Sequence, residues 1–195
     1  MAINKNGLID DEMSEQIVEA AEQMAMTYGA HTVNVRKILI SIGITNRVFY
    51  NRFRNVEDVL DLVYRRKISK IREEVAWECD DEEQFFEGIT NMVTNILLTS
   101  YDVKMQFNQY VFENDSRSKE NYEWWMAEIE KIFAYAKEQH YIKEDLDCDI
   151  LSYSLWCFCR GYNADAVGRK LPKEEAARRF RYSFGIILDG LRKKA

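Results

Sequence analysis

One proline, Pro172, and eight glycines in 195 residues leave few helix breakers. Long helices can therefore run uninterrupted, because proline removes a backbone donor and glycine resists being ordered. No segment keeps strict alternation of apolar and polar residues long enough to be a strand, whereas apolar residues recur every three to four positions over long stretches. An all-α chain is expected. The sequence also lacks an uncharged apolar run of about 18 residues, which excludes a membrane-spanning helix. Its start, M-A-I-N-K-N-G-L-I-D-D, has neither the apolar stretch nor the small-residue cleavage site of a secretory signal. The expected setting is the cytoplasm, with no membrane partner.

Missing chemistry narrows the function further. The two histidines are His31 and His140, and neither has a glutamate three residues before it, so the Glu-x-x-His pairs with which helical bundles hold two iron atoms do not occur. There is no G-x-S-x-G elbow and no glycine-rich phosphate loop. Cys79, Cys148, Cys157 and Cys159 form no C-x-x-C pair and read as reduced, mostly buried thiols. No catalytic residue, metal or cofactor is expected.

Helical periodicity is what the chain does have. Ile17, Ala20, Ala21, Met24, Ala25 and Tyr28 form an apolar stripe on a helix that ends at Gly29, with Asp10, Asp11, Glu12 and Glu15 at its positive N-terminal end. Asn34 can cap a short second helix on which Val35, Ile38, Leu39 and Ile42 share a face. Gly43 stops that helix by taking left-handed backbone, Thr45 can cap a third, and Ile44 can meet Phe49 as a hydrophobic staple. These features make a helix-turn-helix signal. In the third helix Val48, Phe49 and Phe53 turn inward, while Asn46, Arg47, Tyr50, Asn51 and Arg54 turn outward.

Charge singles out the same stretch. The chain carries a net charge of −6, yet between Glu22 and Glu57 it has five basic residues, Arg36, Lys37, Arg47, Arg52 and Arg54, and no acid. That segment is +5 and the remainder −11. Local positive charge on an acidic protein suits a phosphate-facing patch, since the acidic remainder discourages binding elsewhere. A solvated basic face accounts for the charge alone, but not for turn, staple and outward face arriving together.

Residues Val35 to Val59, V-R-K-I-L-I-S-I-G-I-T-N-R-V-F-Y-N-R-F-R-N-V-E-D-V, resemble the helix-turn-helix of the tetracycline-repressor (TetR) regulators, matching at Gly43, Thr45, Tyr50, Phe53, Glu57, Ile38, Ile44 and Phe49. The resemblance implies a three-helix DNA-binding domain at residues 1–56, a linking helix at 57–79 and a C-terminal helical bundle at 80–195 for effector binding and dimerisation. It implies a DNA-facing set of Asn34, Arg36, Thr45, Asn46, Arg47, Val48, Tyr50, Arg52 and Arg54. Arg36 would contact base or phosphate, Asn46, Arg47 and Val48 would read bases, and Tyr50 and Arg52 would touch phosphate. The chemistry agrees: Arg47 can bond guanine O6 and N7, Asn46 can pair with adenine, and Val48 can meet a thymine methyl. Three positions depart from the family pattern. Arg47 stands where a small residue is usual, Val48 where Ser or Thr is usual, and Val56 where a phosphate-binding lysine is usual. Arg54, beside the same backbone, is the expected substitute for that lysine.

Asn55 can cap the long helix that follows, apolar at Val59, Leu60, Val63, Ile68 and Ile71 and basic at Arg65, Arg66, Lys67, Lys70 and Arg72. The acidic run Asp80 to Glu83 marks the next boundary, apolar residues resume at Phe85, and further helices are expected near 102–113, 117–140, 147–167 and 173–192 with a break at Ser100. Phe180, Phe184, Ile187, Leu188 and Leu191 on the last helix, with Leu151, Ser154, Leu155 and Phe158 on its predecessor, read either as internal core or as a dimer contact. A two-headed reader of palindromic DNA favours the dimer. Met92, Ile96, Phe107, Tyr110, Trp124, Tyr153 and Trp156, with Arg160 four residues after Trp156, are candidates to line a pocket for an apolar or aromatic effector, the plain alternative being core filling. The combined expectation is a homodimeric regulator, a repressor released from palindromic double-stranded DNA by a small molecule. A helical adaptor that binds protein and ignores DNA is the alternative.

Overall fold

The computed structural model describes residues 2–3, 8–77, 79–107 and 118–193, with backbone alone at 2–3, 100 and 102–107. The chain divides into two compact units, Met1–Arg72 with Val103–Val111 and Glu73–Asp102 with Phe112–Ala195. Among the described residues there are eight α-helices, a short 3-10 turn at Ala30–Thr32 and a ribbon of two two-residue strands, so the fold is all-α apart from that ribbon.

In the first unit β1 (Ala2–Ile3) pairs antiparallel with β2 (Ile9–Asp10). Helix α1 (Glu12–Tyr28) starts at Asp11, whose carboxylate accepts from the Ser14 N–H at 3.1 Å while the Ser14 hydroxyl accepts from the Asp11 N–H at 3.2 Å. This reciprocal cap satisfies two orphan donors at once. Helix α2 (Val35–Ile42) starts at Asn34, whose Oδ1 accepts from the Lys37 N–H at 3.0 Å, and stops at Gly43 with φ 69° and ψ 33°. Helix α3 (Asn46–Tyr50) is a single turn and more; α4 (Val56–Arg72) is capped by Asn55, which accepts from the Asp58 N–H at 2.8 Å. Helix α1 packs on α2 and α4, and Ile17, Val18, Ala21 and Ala25 are buried with Ile38, Phe49, Phe53, Val59 and Val63. Tyr28, expected on the α1 stripe, is exposed. The basic side of α4 is met by acids: Arg65 pairs with Asp61, Arg66 with Glu15 and Lys67 with Glu22.

The second unit contains most of α5 (Glu82–Phe107), together with α6 (Lys119–Glu138), α7 (Cys148–Gly168) and α8 (Lys173–Leu191). Asp81 caps α5 through the Gln84 N–H, Ser118 caps α6, and Asp147 caps α7 through the Ile150 N–H. Helix α5 runs through Ser100 without the expected break, because one serine costs a helix only a few tenths of a kcal/mol, about what tertiary packing easily overrides. Pro172, at φ −55°, opens α8, where a missing N–H is harmless. Phe180 stacks on Phe184 at 5.2 Å and on Phe158 at 5.7 Å, inside a cluster with Phe85, Ile89, Met92 and Phe133. The chain end is tied back by the Lys143 N–H to the Leu191 carbonyl and the Lys193 N–H to the Tyr141 carbonyl, both at 3.1 Å.

For part of the expected dimer set this packing gives the other reading, internal core. Phe180, Phe184, Leu188 and Leu191 are buried in the unit's own core, while Leu151, Leu155 and Phe158 lie half-buried against it. Ile187 is also half-buried, leaving Ser154 as the one exposed member of the set. A 3.6-residue period marks which side of a helix is apolar, not which neighbour covers it. The thiols need a correction: Cys157 is exposed, whereas Cys79, Cys148 and Cys159 are partly covered, and burial pushes the Cys159 thiol up to about 12. Phe180→Ala should lower the unfolding free energy by about 3–5 kcal/mol in chemical denaturation, and an unchanged midpoint would contradict its central place in the stack.

Candidate nucleic-acid interface

The turn between α2 and α3 rests on Gly43. Its left-handed backbone is strained for residues with a Cβ, and no atom lies within 4 Å of where a Cβ would stand, so conformation and not crowding calls for glycine. Thr45 occupies the N-cap position of α3 in extended backbone, but its hydroxyl makes no capping hydrogen bond, contrary to expectation. The Phe49 N–H instead reaches the Thr45 carbonyl at 3.2 Å. Phe49 is fully buried and lies against Phe53 at 5.8 Å between ring centres.

With Phe49 as anchor, helical geometry sends its neighbours outward. Asn46, Arg47, Tyr50 and Asn51 are exposed, as are Asn34, Arg36 and Thr45, while Val48 is partly covered. Tyr50 keeps half its surface exposed and meets Phe49 edge-on at 5.3 Å. The structure thus brings a hydrogen-bonding set, Asn46, Arg47 and Tyr50, onto the open side of α3.

The five cations of this region are not equivalent. Lys37 donates through Nζ to the Thr32 carbonyl at 2.8 Å. Arg54 pairs with Asp58 at 3.0 Å across one helical turn, with its own side chain 63% exposed. Arg52 is held far more firmly: Nε donates to Asp11 Oδ1 at 2.8 Å and Nη2 to Asp11 Oδ2 at 2.6 Å, while Nη1 donates to the Val48 carbonyl at 2.9 Å. Its side chain is only 11% exposed, so Arg52 is not placed where a phosphate contact was expected. The guanidiniums of Arg36 and Arg47 make no ion pair among the described residues. Sequence reasoning missed the Asp11–Arg52 pair; Asp11 read as a helix-end acid, and nothing local announces a partner 41 residues away.

In the second unit the candidate effector residues fall into separate groups. Trp124 meets Trp125 at 4.8 Å, Trp125 meets Trp156 at 5.8 Å, and the Arg160 guanidinium lies over the Trp156 ring at 5.3 Å. Tyr122, which the sequence-derived set lacked, joins them at 6.4 Å from Trp156. Met92 is buried in the phenylalanine cluster, Ile96 lies against it, and Tyr153 is 56% exposed. The Phe107 side chain and Tyr110 lie outside the described residues. Among the described residues no three His, Cys, Asp or Glu gather as metal ligands, and no helix is long and apolar enough to cross a membrane.

No family profile and no curated protein matches the chain. Solved structures do. The fatty acid degradation regulator FadR from Bacillus halodurans is 21% identical, with a TM-score of 0.64 over 95% of this chain and 100% of that one. A TetR-family transcriptional regulator from Cytophaga hutchinsonii is 14% identical, with a TM-score of 0.65 over the whole of both chains. SmeT, the repressor of the Stenotrophomonas maltophilia multidrug efflux pump SmeDEF, is 17% identical, with a TM-score of 0.61 over 93% of this chain and 91% of that one. The chain has the fold of the TetR-family regulators.

The Arg52 guanidinium, chiefly through its hydrogen bonds, holds the Asp11 carboxyl down at about 2. A depressed carboxyl contributes its stability above the ordinary aspartate value of about 4 and loses it as pH falls through the folded value. A carboxyl-resolved NMR titration should find Asp11 still ionised at about pH 3, and protonation at about 4 would mean that the pair does not form in solution.

Proposed function

We propose that the chain is a homodimeric, ligand-responsive transcriptional regulator of the TetR type, a repressor whose α2–α3 unit reads a palindromic operator. The observation that supports this most directly is the outward face of α3. Asn46, Arg47 and Tyr50 project from one short helix seated by a buried phenylalanine behind a left-handed glycine, and among the described residues the guanidiniums of Arg36 and Arg47 make no ion pair. An acidic protein with two exposed guanidiniums at a helix-turn-helix has its charge arranged for a polyanion.

In this reading Arg47 bonds a guanine edge in the major groove, Asn46 pairs with adenine and Val48 reaches a thymine methyl. Arg36, Tyr50 and Arg54 face phosphate. Arg54 can leave Asp58 at little cost, because exposed pairs one turn apart are worth only about 0.3–0.5 kcal/mol. It can therefore serve in place of the lysine that Val56 lacks.

Two copies would meet through α7 and α8, but on the faces left open. Ile150 and Tyr153 of α7 and Tyr182 and Ile186 of α8 are 56–73% exposed, an apolar surface of the kind a monomer rarely leaves in water. Ser154, Cys157 and Gly161 lie along the same side of α7 and let a second helix approach closely. An apolar or aromatic effector near Trp124, Trp156 and Arg160 would favour a dimer whose two recognition helices no longer match the roughly 34 Å spacing of consecutive major grooves.

Selection from a pool of random duplexes should enrich a palindrome. On that duplex Arg47→Ala should cost about 1–3 kcal/mol and blur one base position, while Arg54→Ala should weaken binding to every sequence and lower the salt slope by about one. Equal losses for Arg47→Ala on selected and scrambled duplexes would refute its base-reading role, and a pool without enrichment would leave the protein-binding adaptor.

A further inference from the structure

Residues 8–11 and the end of α3 are joined by contacts for which the DNA-facing roles have no use. The Ile9 N–H donates to the Asn51 carbonyl at 3.0 Å, and the Ser14 hydroxyl donates to the Ile9 carbonyl at 3.2 Å. Beside them the Arg52 guanidinium spans from the carboxylate that caps α1 to the Val48 carbonyl in the last turn of α3. We infer that the Asp11–Arg52 pair is a latch that sets the orientation of α3 against α1, and that Arg52 is a positioning residue rather than a phosphate contact. The inference rests on α3 being the recognition helix.

A five-residue helix is far too short to be stable by itself, so its attitude is set from outside. Phe49 fixes how deep α3 sits, but one buried ring leaves the helix free to tilt about it. A planar guanidinium with two parallel bonds to one carboxylate supplies direction, because both bonds hold only at one mutual orientation. The third bond, to the Val48 carbonyl, transmits that direction to α3. Arg47 and Tyr50 ride on the same turn, so a tilt carries their tips away from base edge and phosphate together.

The phosphate role for Arg52 fails on cost. Leaving Asp11 for a phosphate would break two hydrogen bonds to its carboxylate, and the one to the Val48 carbonyl with them, and would leave that carboxylate without its cation. Arg54, exposed and held by a single turn-spacing pair, has no such obstacle.

Asp11→Asn separates the latch from the cap, since asparagine caps helices as well as aspartate does but carries no charge. On a duplex selected by the wild-type protein, Asp11→Asn and Arg52→Gln should each weaken binding about tenfold. The slope of log affinity against log salt should stay as in the wild type, and the double variant should bind no worse than the weaker single one. Amide exchange in residues 46–53 should quicken while α1 and α4 stay protected. Binding by Asp11→Asn that equals or exceeds the wild type would overturn the latch, because removing an acid near DNA tightens binding if Arg52 is thereby freed for phosphate. So would a slope lowered by about one in Arg52→Gln, or exchange that quickens throughout the unit. If the wild type selects no duplex while exchange in 46–53 still quickens in Asp11→Asn, the DNA reading falls and the latch is upheld as a structural one.

Discussion

A helix of five residues cannot repay the cost of its own nucleation, and α3 is such a helix. Every property assigned to the basic face depends on how the rest of the unit holds that one turn in place. Phe49 is fully buried beneath it, the Gly43 turn delivers it from α2, and Asn51 and Arg52 tie its far end to residues 9–11. The absent Thr45 cap fits this picture. Where tertiary contacts fix both ends of a helix, a side-chain cap worth about 1 kcal/mol is dispensable.

Pairing, rather than the number of cations, gives the first unit its electrostatic character. Arg65, Arg66 and Lys67 of α4 are each matched by an acid, two of those acids coming from α1, so the basic side of that helix welds α1 to α4. Arg52 is spent in the same way on Asp11, and Lys37 closes the loop before α2 by reaching the Thr32 carbonyl. Among the described residues, the cations of the helix-turn-helix that make no ion pair include the exposed Arg36 and Arg47. An acidic chain can therefore offer a small positive surface without diffuse attraction over the rest of the molecule.

The second unit is organised by aromatic stacking. Phe158, Phe180 and Phe184 interlock α7 with α8, and in another part of the same core Trp77, Phe85, Tyr135 and Tyr141 gather residues from before α5 to after α6, with the Cys79 thiol donating to the Tyr135 hydroxyl. The tryptophans around Trp156 form a third group with a guanidinium over one ring. The residues that read as one aromatic lining thus belong to different clusters, because helical spacing places two residues on one face but does not say which helix that face will meet.

Local rules were enough to find the elements of this protein. The scarcity of proline and the 3.6-residue period marked the helices; Asn34 and Asn55 marked where two of them begin; Gly43 marked the turn; and the inward set Phe49 and Phe53 left Asn46, Arg47 and Tyr50 facing out. Each of these follows from interactions spanning at most a turn or two, which a linear sequence displays. Tertiary structure alone decided which cations stay free and which apolar stripes are covered. Arg52 looked like Arg47 until Asp11, 41 residues earlier, was brought against it, and Phe180 looked like interface until Phe158 was stacked upon it. Charge and hydrophobicity belong to residues, but neutralisation and burial belong to pairs, and pairs distant in the chain exist only once it has folded.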